Sequence, residues 1–128
     1  AKARGPDFQL GMIQEALGNN FAAAFSYLRA SWRATGKVRT ATLTESLRVY
    51  TALLSQGDVD TKQTWTNGLV AGEIERQLGH FEDARARFER LQVDPRAQSR
   101  PFNLIIAFEL KLIADQDSAP HVIPREMP

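Results

Sequence analysis

An all-α fold of about six antiparallel helices is predicted by two features of the sequence. Apolar residues recur every three or four positions along most of the chain, which is the spacing of one helix face. Short breaks that contain Gly, Asn or Asp separate these stretches, and alternating strand patterns are nearly absent. We therefore expect helix–turn–helix units in a single domain over residues 1–117, followed by an extended proline-containing tail over residues 118–128.

The composition restricts the class of function. A chain of 128 residues with 43% hydrophobic content is long enough for one packed domain. The 16 basic and 15 acidic residues are spread along it, so no large field favours nucleic acid or a membrane surface. The absence of cysteine excludes disulfides and thiol nucleophiles and is compatible with a cytoplasmic location. The chain begins without Met, so we expect a processed protein or part of a longer one.

The first half of the chain predicts three helices. The first covers about residues 7–17 and stops at the turn Gly18-Asn19-Asn20. The second covers about residues 21–35. The third is predicted to begin at Thr42, because Thr42 and Glu45 have the spacing of a capping box, and to run to residue 56.

The second half predicts three more helices. The fourth is capped by Asp60 or Thr61 and reaches Leu78, and the fifth covers residues 81–92. The sixth begins near Pro101, a residue tolerated in a first helical turn, and runs to about residue 114.

The fourth and fifth helices carry residues at the offsets that lock two antiparallel helices together. Gly72 allows a close approach, Gly79 makes the corner, and Ala84 is expected to face Gly72. Phe81 plugs the turn, and Phe88 and Leu91 fill the core. Pro95 is expected to end the second helix. Residues 65–98 therefore resemble a tetratricopeptide (TPR) repeat, a helix pair of about 34 residues.

Two departures from the TPR pattern stand out, because Glu75 replaces a usual aromatic and Gly68 a usual bulky residue. A weaker copy begins near Arg4, with one extra residue in its corner. Its matching residues are Gly11, Gly18, Phe21, Ala23 or Ala24, Tyr27 and Ala30. The order of segments also resembles a bacterial family of unassigned function in which a TPR-like region follows a cysteine-rich module, and that module is absent here.

The TPR resemblance implies a function in protein binding. First helices of such repeats line a concave groove that holds a peptide or protein partner, and no cofactor is implied. Carried over by position, the groove residues are Phe8, Met12, Glu15, Thr66, Leu69, Glu73, Arg76 and Gln77. Alternatively, Glu73 and Arg76 simply pair with each other on a solvated helix face. The family's carboxylate-clamp pattern is not matched, since Glu73 stands where an Asn is needed.

The sixth helix suggests a second role, because its apolar surface is wider than the usual stripe. Either it is buried under the preceding helices and the tail, or it meets another subunit or another part of a longer chain. In the second case, residues 101–114 would make the chain an assembly module that forms a homodimer. The interface residues would be Phe102, Ile105, Ile106, Phe108, Leu112 and Ile113.

Catalysis and metal binding find little support in the sequence. His80 and His121 belong to no metal-ligand spacing, although Asp115, Asp117 and His121 lie close together in the chain. The arginines concentrated in residues 76–100 are interleaved with acidic residues, which is typical of a solvated face. We expect a non-catalytic module without metal, nucleic-acid or membrane partners.

Overall fold

The structure, a computed structural model, describes residues 5–56 and 62–121. All regular structure in these two ranges is helical, which confirms the predicted all-α class. The helices are α1 (Gly5–Ala16), α2 (Asn20–Trp32), α3 (Gly36–Gln56), α4 (Lys62–Gln77), α5 (Phe81–Gln92) and α6 (Phe102–Ala114), with a 3-10 turn at Pro95–Gln98. None of these helices is long and apolar enough to cross a membrane.

The chain divides into two compact units. Unit 1 comprises Ala1–Thr64 and unit 2 comprises Trp65–Pro128, so the division falls in the first turn of α4. Each unit contains a helix pair followed by a third helix, and that third helix packs against the second helix of the pair.

Unit 1 is built from α1, α2 and α3. Gly11 allows α1 to approach α2 closely, because a Cβ atom at this position would lie 2.7 Å from Cε1 of Tyr27. On the other side of α2, the buried Ser46 hydroxyl of α3 donates a 2.8 Å hydrogen bond to the carbonyl oxygen of Ala24. The small residues Ala23 and Ala24 are fully buried and let both neighbouring helices come close. Small side chains on α2 thus fix the spacing of all three helices.

Unit 2 repeats this arrangement with α4, α5 and α6. The ring of Phe88 lies over Gly72, where a Cβ would be 2.6 Å from its Cε2 atom. The predicted facing residue, Ala84, is buried in the core, but the nearest atoms to Gly72 belong to Phe88. The core of the unit is formed by Trp65, Leu69, Ala84, Phe88, Ala97, Ile106 and Ile113.

The two interhelical corners have the same length, so the predicted extra residue in the first corner is wrong. The first corner joins Ala16 of α1 to Asn20 of α2, and the second joins Gln77 of α4 to Phe81 of α5. Gly18 and Gly79 adopt positive φ angles of 81° and 80°, which favour glycine at these positions. The counterpart of Phe81 is therefore Asn20, not Phe21.

The third helix begins earlier than the sequence predicts. It starts at Gly36, and Thr42 lies buried in its interior instead of at its N-terminus. The Thr42 hydroxyl donates a 2.9 Å hydrogen bond to the carbonyl oxygen of Arg39. A threonine inside a helix can satisfy its hydroxyl in this way, so the capping-box spacing was misleading. The cap predicted for α4 at Asp60 or Thr61 lies outside the described residues.

The end of α5 is as predicted, but the role of Pro95 differs from the prediction. The helix stops at Gln92, and Pro95 begins the 3-10 turn instead of ending the helix. The Asp94 side chain accepts a 2.9 Å hydrogen bond from the backbone N–H of Arg96, which caps this turn. The turn buries Ala97 against α5 and α6.

Candidate functional site

An open groove in unit 1 is the best candidate for a functional site. Its volume is about 670 Å³, within the range of small-ligand and peptide pockets. Side chains from α1, α2 and α3 line it, and they are Phe8, Met12, Glu15, Ala16, Tyr27, Glu45 and Arg48. The three residues that the sequence assigns to the first half of a binding groove, Phe8, Met12 and Glu15, all belong to this lining.

One side of the groove is apolar. Phe8 and Tyr27 are buried and pack with their ring centroids 5.0 Å apart, so they form a fixed floor. Met12 lies next to them and is 52% exposed. A flexible, polarizable methionine can adapt to different apolar side chains, so Met12 is the residue best suited to contact a partner.

The other side of the groove is charged. The Arg48 guanidinium of α3 donates two hydrogen bonds to the Glu15 carboxylate, at 2.7 and 2.8 Å. Its Nε atom donates a third bond, of 3.0 Å, to Glu45. The Tyr27 hydroxyl donates a 2.9 Å bond to Oε1 of Glu15. Two carboxylates around one guanidinium leave this side with a net negative charge.

These contacts keep Glu15 ionised. Hydrogen bonds from Arg48 lower the pKa of the Glu15 carboxyl, although burial opposes this shift. The same pair raises the pKa of Arg48. Burial, together with the hydrogen bond to Glu15, raises the pKa of Tyr27 to about 12, so its hydroxyl remains a donor at neutral pH. The groove therefore presents carboxylate acceptors beside an apolar floor.

Sequence reasoning missed Glu45 and Arg48. They are three residues apart on α3, which is the spacing of a pair on one helix face. The sequence predicts a binding face built from the first, third and fourth helices, but the third helix has no counterpart in the repeat pattern from which its groove residues could be assigned. The available signal was the opposite charges of Glu45 and Arg48 in the middle of the helix.

The other predicted groove residues belong to unit 2, where their surroundings are different. Leu69, Glu73 and Arg76 each lie 61 positions after Phe8, Met12 and Glu15, respectively. Leu69 is buried in the core. Arg76 is fully buried, and its Nε atom donates a 2.9 Å hydrogen bond to Glu109 of α6, which is also buried.

The chain following α6 covers Arg76. The Nη1 atom of Arg76 donates hydrogen bonds to the carbonyl oxygens of Asp117 and Ala119, at 2.6 and 2.8 Å. The segment is also held by a 2.8 Å contact between His121 and Asp117 and by the edge of Phe108 against the His121 ring. Residues 117–121 are non-helical and pinned to the unit, while the rest of the predicted tail, 122–128, lies outside the described residues.

The ion pair between Glu73 and Arg76 is observed, but Arg76 is buried and does not lie on a solvated helix face. Nη2 of Arg76 donates bonds of 2.9 and 2.8 Å to the two Glu73 oxygens, and the amide of Gln77 also donates to Glu73. Thr66, like Gln77, is partly buried. Because Leu69 and Arg76 are enclosed, we no longer assign them to a partner-binding surface.

Glu109 is a buried carboxyl group beside a second one. Burial and the neighbouring Glu73 carboxylate raise the pKa of Glu109 to about 9, although Arg76 opposes the shift. Glu109 is therefore harder to ionise than an exposed glutamate, and Arg76 forms a second ion pair with Glu73.

The apolar side of α6 is largely covered within the chain. Ile106, Leu112 and Ile113 are buried. Phe102 packs edge-on against Trp65 with a centroid distance of 4.9 Å. Ile105 and Phe108 are only partly buried. Of the two interpretations of this helix, internal burial accounts for most of the predicted interface residues.

In the described parts of the chain, no group of three or more His, Asp or Glu side chains is arranged to hold a metal ion. Asp117 and His121 contact each other, and Asp115 is exposed.

Comparisons of the chain with protein-family profiles, with curated proteins and with solved protein structures found no match.

Proposed function

We propose that unit 1 is a protein-interaction module that binds a non-helical peptide segment of a partner protein in the groove lined by Phe8, Met12 and Glu15. This is the class of function that the TPR resemblance implies, and it requires no catalytic step. The observation that carries the proposal is the open groove, whose counterpart in unit 2 holds a segment of the chain itself.

Unit 2 supports the proposal as an internal precedent. Its Arg76 occupies the first-helix position equivalent to Glu15 and binds two carbonyl oxygens two residues apart in a non-helical segment. A helix pair with a third helix can therefore hold a peptide main chain beside this position. In unit 1 the same position borders open space.

The charges of the groove define the partner. A carboxylate only accepts hydrogen bonds, so Glu15 and Glu45 suit N–H donors and basic side chains, whereas Arg76 in unit 2 suits carbonyl oxygens. Met12 and the rings of Phe8 and Tyr27 suit an apolar side chain. We therefore expect a peptide with an apolar residue next to a Lys or Arg.

Selection from a random peptide library displayed on phage tests this function. The wild-type chain should enrich peptides that share an apolar–basic pair. Met12→Lys should lose them, because it places a long cation over the apolar floor. The matched control is Val93→Lys, which changes an apolar residue of unit 2 that is 83% exposed. Circular dichroism should show equal helicity in all three proteins, because both positions face solvent.

Two outcomes would contradict the proposal. One is the absence of any sequence-related peptides after selection on the wild-type chain. The other is recovery of the same peptides by Met12→Lys, which would move the binding site away from the groove.

A further inference from the structure

A second surface of unit 1 exposes far more apolar area than a solvated helix pair needs. It comprises Leu10 and Ile13 of α1, Leu17 of the turn that follows α1, and Phe21, Phe25 and Trp32 of α2; we call it the outer face. Leu17 is 79% exposed, Trp32 is 64% and Ile13 is 57%. Isolated apolar residues on a surface are ordinary, but six on two adjacent helices and the turn between them require an explanation.

The spacing of these residues matches the seam of packed helices. Leu10, Ile13 and Leu17 follow one another at steps of three and four residues. Phe21 and Phe25 are four apart, and the stripe continues through Leu28 to Trp32. Steps of three and four are the a/d pattern by which one helix packs against another helix outside its own pair.

The two stripes adjoin along the seam between α1 and α2. On α1, Asp7 and Gln14 contact Arg29 and Ser26 of α2, and Leu10 lies between Asp7 and Gln14 on the same helix stripe. The Arg29 guanidinium lies 5.2 Å from the centre of the Phe25 ring.

The aromatic part of the outer face is also ordered. Phe25 and Trp32 pack edge to face with their centroids 6.0 Å apart. These two rings therefore form one packed aromatic surface on α2.

The size of the outer face is sufficient for a stable dimer. Its six apolar side chains expose on the order of 600 Å², at the upper limit for the largest patch of a typical monomer. Neighbouring polar atoms would be buried along with these side chains. The total buried area of each copy would therefore approach the roughly 800 Å² that each partner contributes to a standard interface.

We propose that two copies of this chain associate through the outer face, with α1 and α2 of each copy forming a four-helix arrangement. The charges favour a second copy over a different partner. Arg29 is already neutralised by Asp7 on the same face, at 3.7 Å, so there is no excess charge to select an oppositely charged protein. In a two-fold interface the same patch meets itself, and each Arg29 can approach the Asp7 of the other copy.

The dimer leaves the peptide groove open. Phe8, Met12 and Glu15 lie on one side of α1, and Leu10, Ile13 and Leu17 lie on the opposite side of that helix. The dimer is therefore independent of the proposed peptide binding, and either property can fail without the other.

Sedimentation equilibrium over a wide concentration range tests the dimer. The wild-type chain should show twice the monomer mass, and the exposed double replacement Leu17→Glu with Trp32→Glu should show the monomer mass. Val93→Glu is the matched control and should remain dimeric, because it adds a charge at an exposed apolar position of unit 2. Ile105→Lys, on α6, should also remain dimeric.

Trp32 provides a second readout. In a Trp65→Phe chain, Trp32 is the remaining tryptophan, and its fluorescence should shift to shorter wavelength as the concentration rises through the dissociation constant. A wild-type monomer at all concentrations would overturn the proposal. Dissociation by Ile105→Lys but not by the Leu17 and Trp32 replacements would also overturn it, because the interface would then lie on α6.

Discussion

Units 1 and 2 place opposite charges at the same position of the same helix arrangement. Glu15 of α1 binds Arg48 of the third helix, whereas Arg76 of α4 binds Glu109 of the third helix. The unit 1 pair is largely exposed, and the unit 2 pair is fully buried. The sign of the charge accounts for the difference. A guanidinium has five N–H donors and can donate to carboxyl groups and main-chain carbonyls together. A carboxylate has no donor, so it cannot form hydrogen bonds with the carbonyl oxygens of a chain segment.

A groove of this kind can be closed by replacing one hydrogen-bond acceptor, such as Glu15, with a hydrogen-bond donor, such as Arg76. In unit 2, the N–H donors of Arg76 are satisfied by carbonyl oxygens within residues 117–119 of the chain itself. With Glu15 in place, the position is satisfied by Arg48 and Tyr27, and the space above it stays open.

The largest difference between the units should appear on removal of the two arginines. Arg76→Ala should lower the free energy of unfolding of unit 2 by about 3–5 kcal/mol, because it leaves a buried network without its cation. Arg48→Ala should cost only about 0–1 kcal/mol, since its ion pairs are exposed to solvent. Urea denaturation followed by circular dichroism measures both changes.

Hydrogen exchange measured by mass spectrometry should assign the loss of protection in Arg76→Ala to α4, α6 and the following segment. The matched control is Arg90→Ala, an exposed arginine on α5, with an expected change below about 0.5 kcal/mol. Equal losses of stability for Arg76→Ala and Arg48→Ala would break the comparison.

Intermediate effects are expected where the helix pairs approach most closely. Gly72→Ala places a methyl group 2.6 Å from the enclosed Phe88 ring and should cost about 1–3 kcal/mol. Gly11→Ala should cost a similar amount, because its added methyl group would lie 2.7 Å from the Tyr27 ring, which Phe8 and Glu15 hold in place. Thermal unfolding of the two variants, followed by circular dichroism, would rank them.

Gly68→Ala is the control for helix propensity in this series. Its added methyl would lie 3.1 Å from Cδ2 of Leu91, the end of a flexible side chain. The gain of about 1 kcal/mol from replacing a helical Gly by Ala should offset most of this contact. If Gly68→Ala were as harmful as Gly72→Ala, close approach would not explain the Gly72 position.

The pH dependence of the stability of unit 2 should depend on Glu109. Because its pKa is raised from 4.5 to about 9, folded Glu109 keeps its proton over a pH range in which the unfolded chain loses it. The free energy of unfolding should therefore fall as pH rises through this range, by at most about 1.4 kcal/mol per pH unit. Glu109→Gln should remove this decline. It replaces the carboxyl group with an amide whose oxygen can accept from Arg76 and whose nitrogen can donate to Glu73.

Urea midpoints measured from about pH 5 to pH 9 test this effect, with the exposed Glu82→Gln of α5 as the control. Parallel pH profiles for the wild-type chain and Glu109→Gln would mean that Glu109 is ionised in the folded protein. Unit 1 has no counterpart of this group, because its third helix contributes Arg48 at the equivalent contact.

The sequence predicts the helix pairs well because their constraints are local. The spacing from Gly11 to Gly18 and Tyr27 is repeated from Gly72 to Gly79 and Phe88, and each of these contacts joins helices adjacent in the chain. The start of α3 could not be derived, because Thr42 fits both a helix N-terminus and a helix interior. A hydroxyl can bond to the backbone in either setting.

The candidate site is only partly predictable, for a related reason. Phe8, Met12 and Glu15 follow from their place in the first helix, but their partner Arg48 depends on how α3 packs against the pair. Arg76 was misplaced on a surface because its partner Glu109 lies 33 residues away. A lone carboxyl on the apolar helix α6 was the available sign of a buried partner.

The ring of Tyr27 has a consequence for the energetics of recognition. It is wedged against Gly11, packed at a tilt against Phe8 and hydrogen-bonded through its hydroxyl to Glu15, and these contacts hold the ring in place. A partner that lands on this floor would not have to freeze it, and would avoid an entropic penalty of about 0.5–1.5 kcal/mol for each side chain immobilised on binding. The neighbouring Met12, which is half exposed, keeps its freedom and would lose it on contact. The groove thus combines a rigid template with one adjustable element, an arrangement that would suit several related sequences bound in a single register.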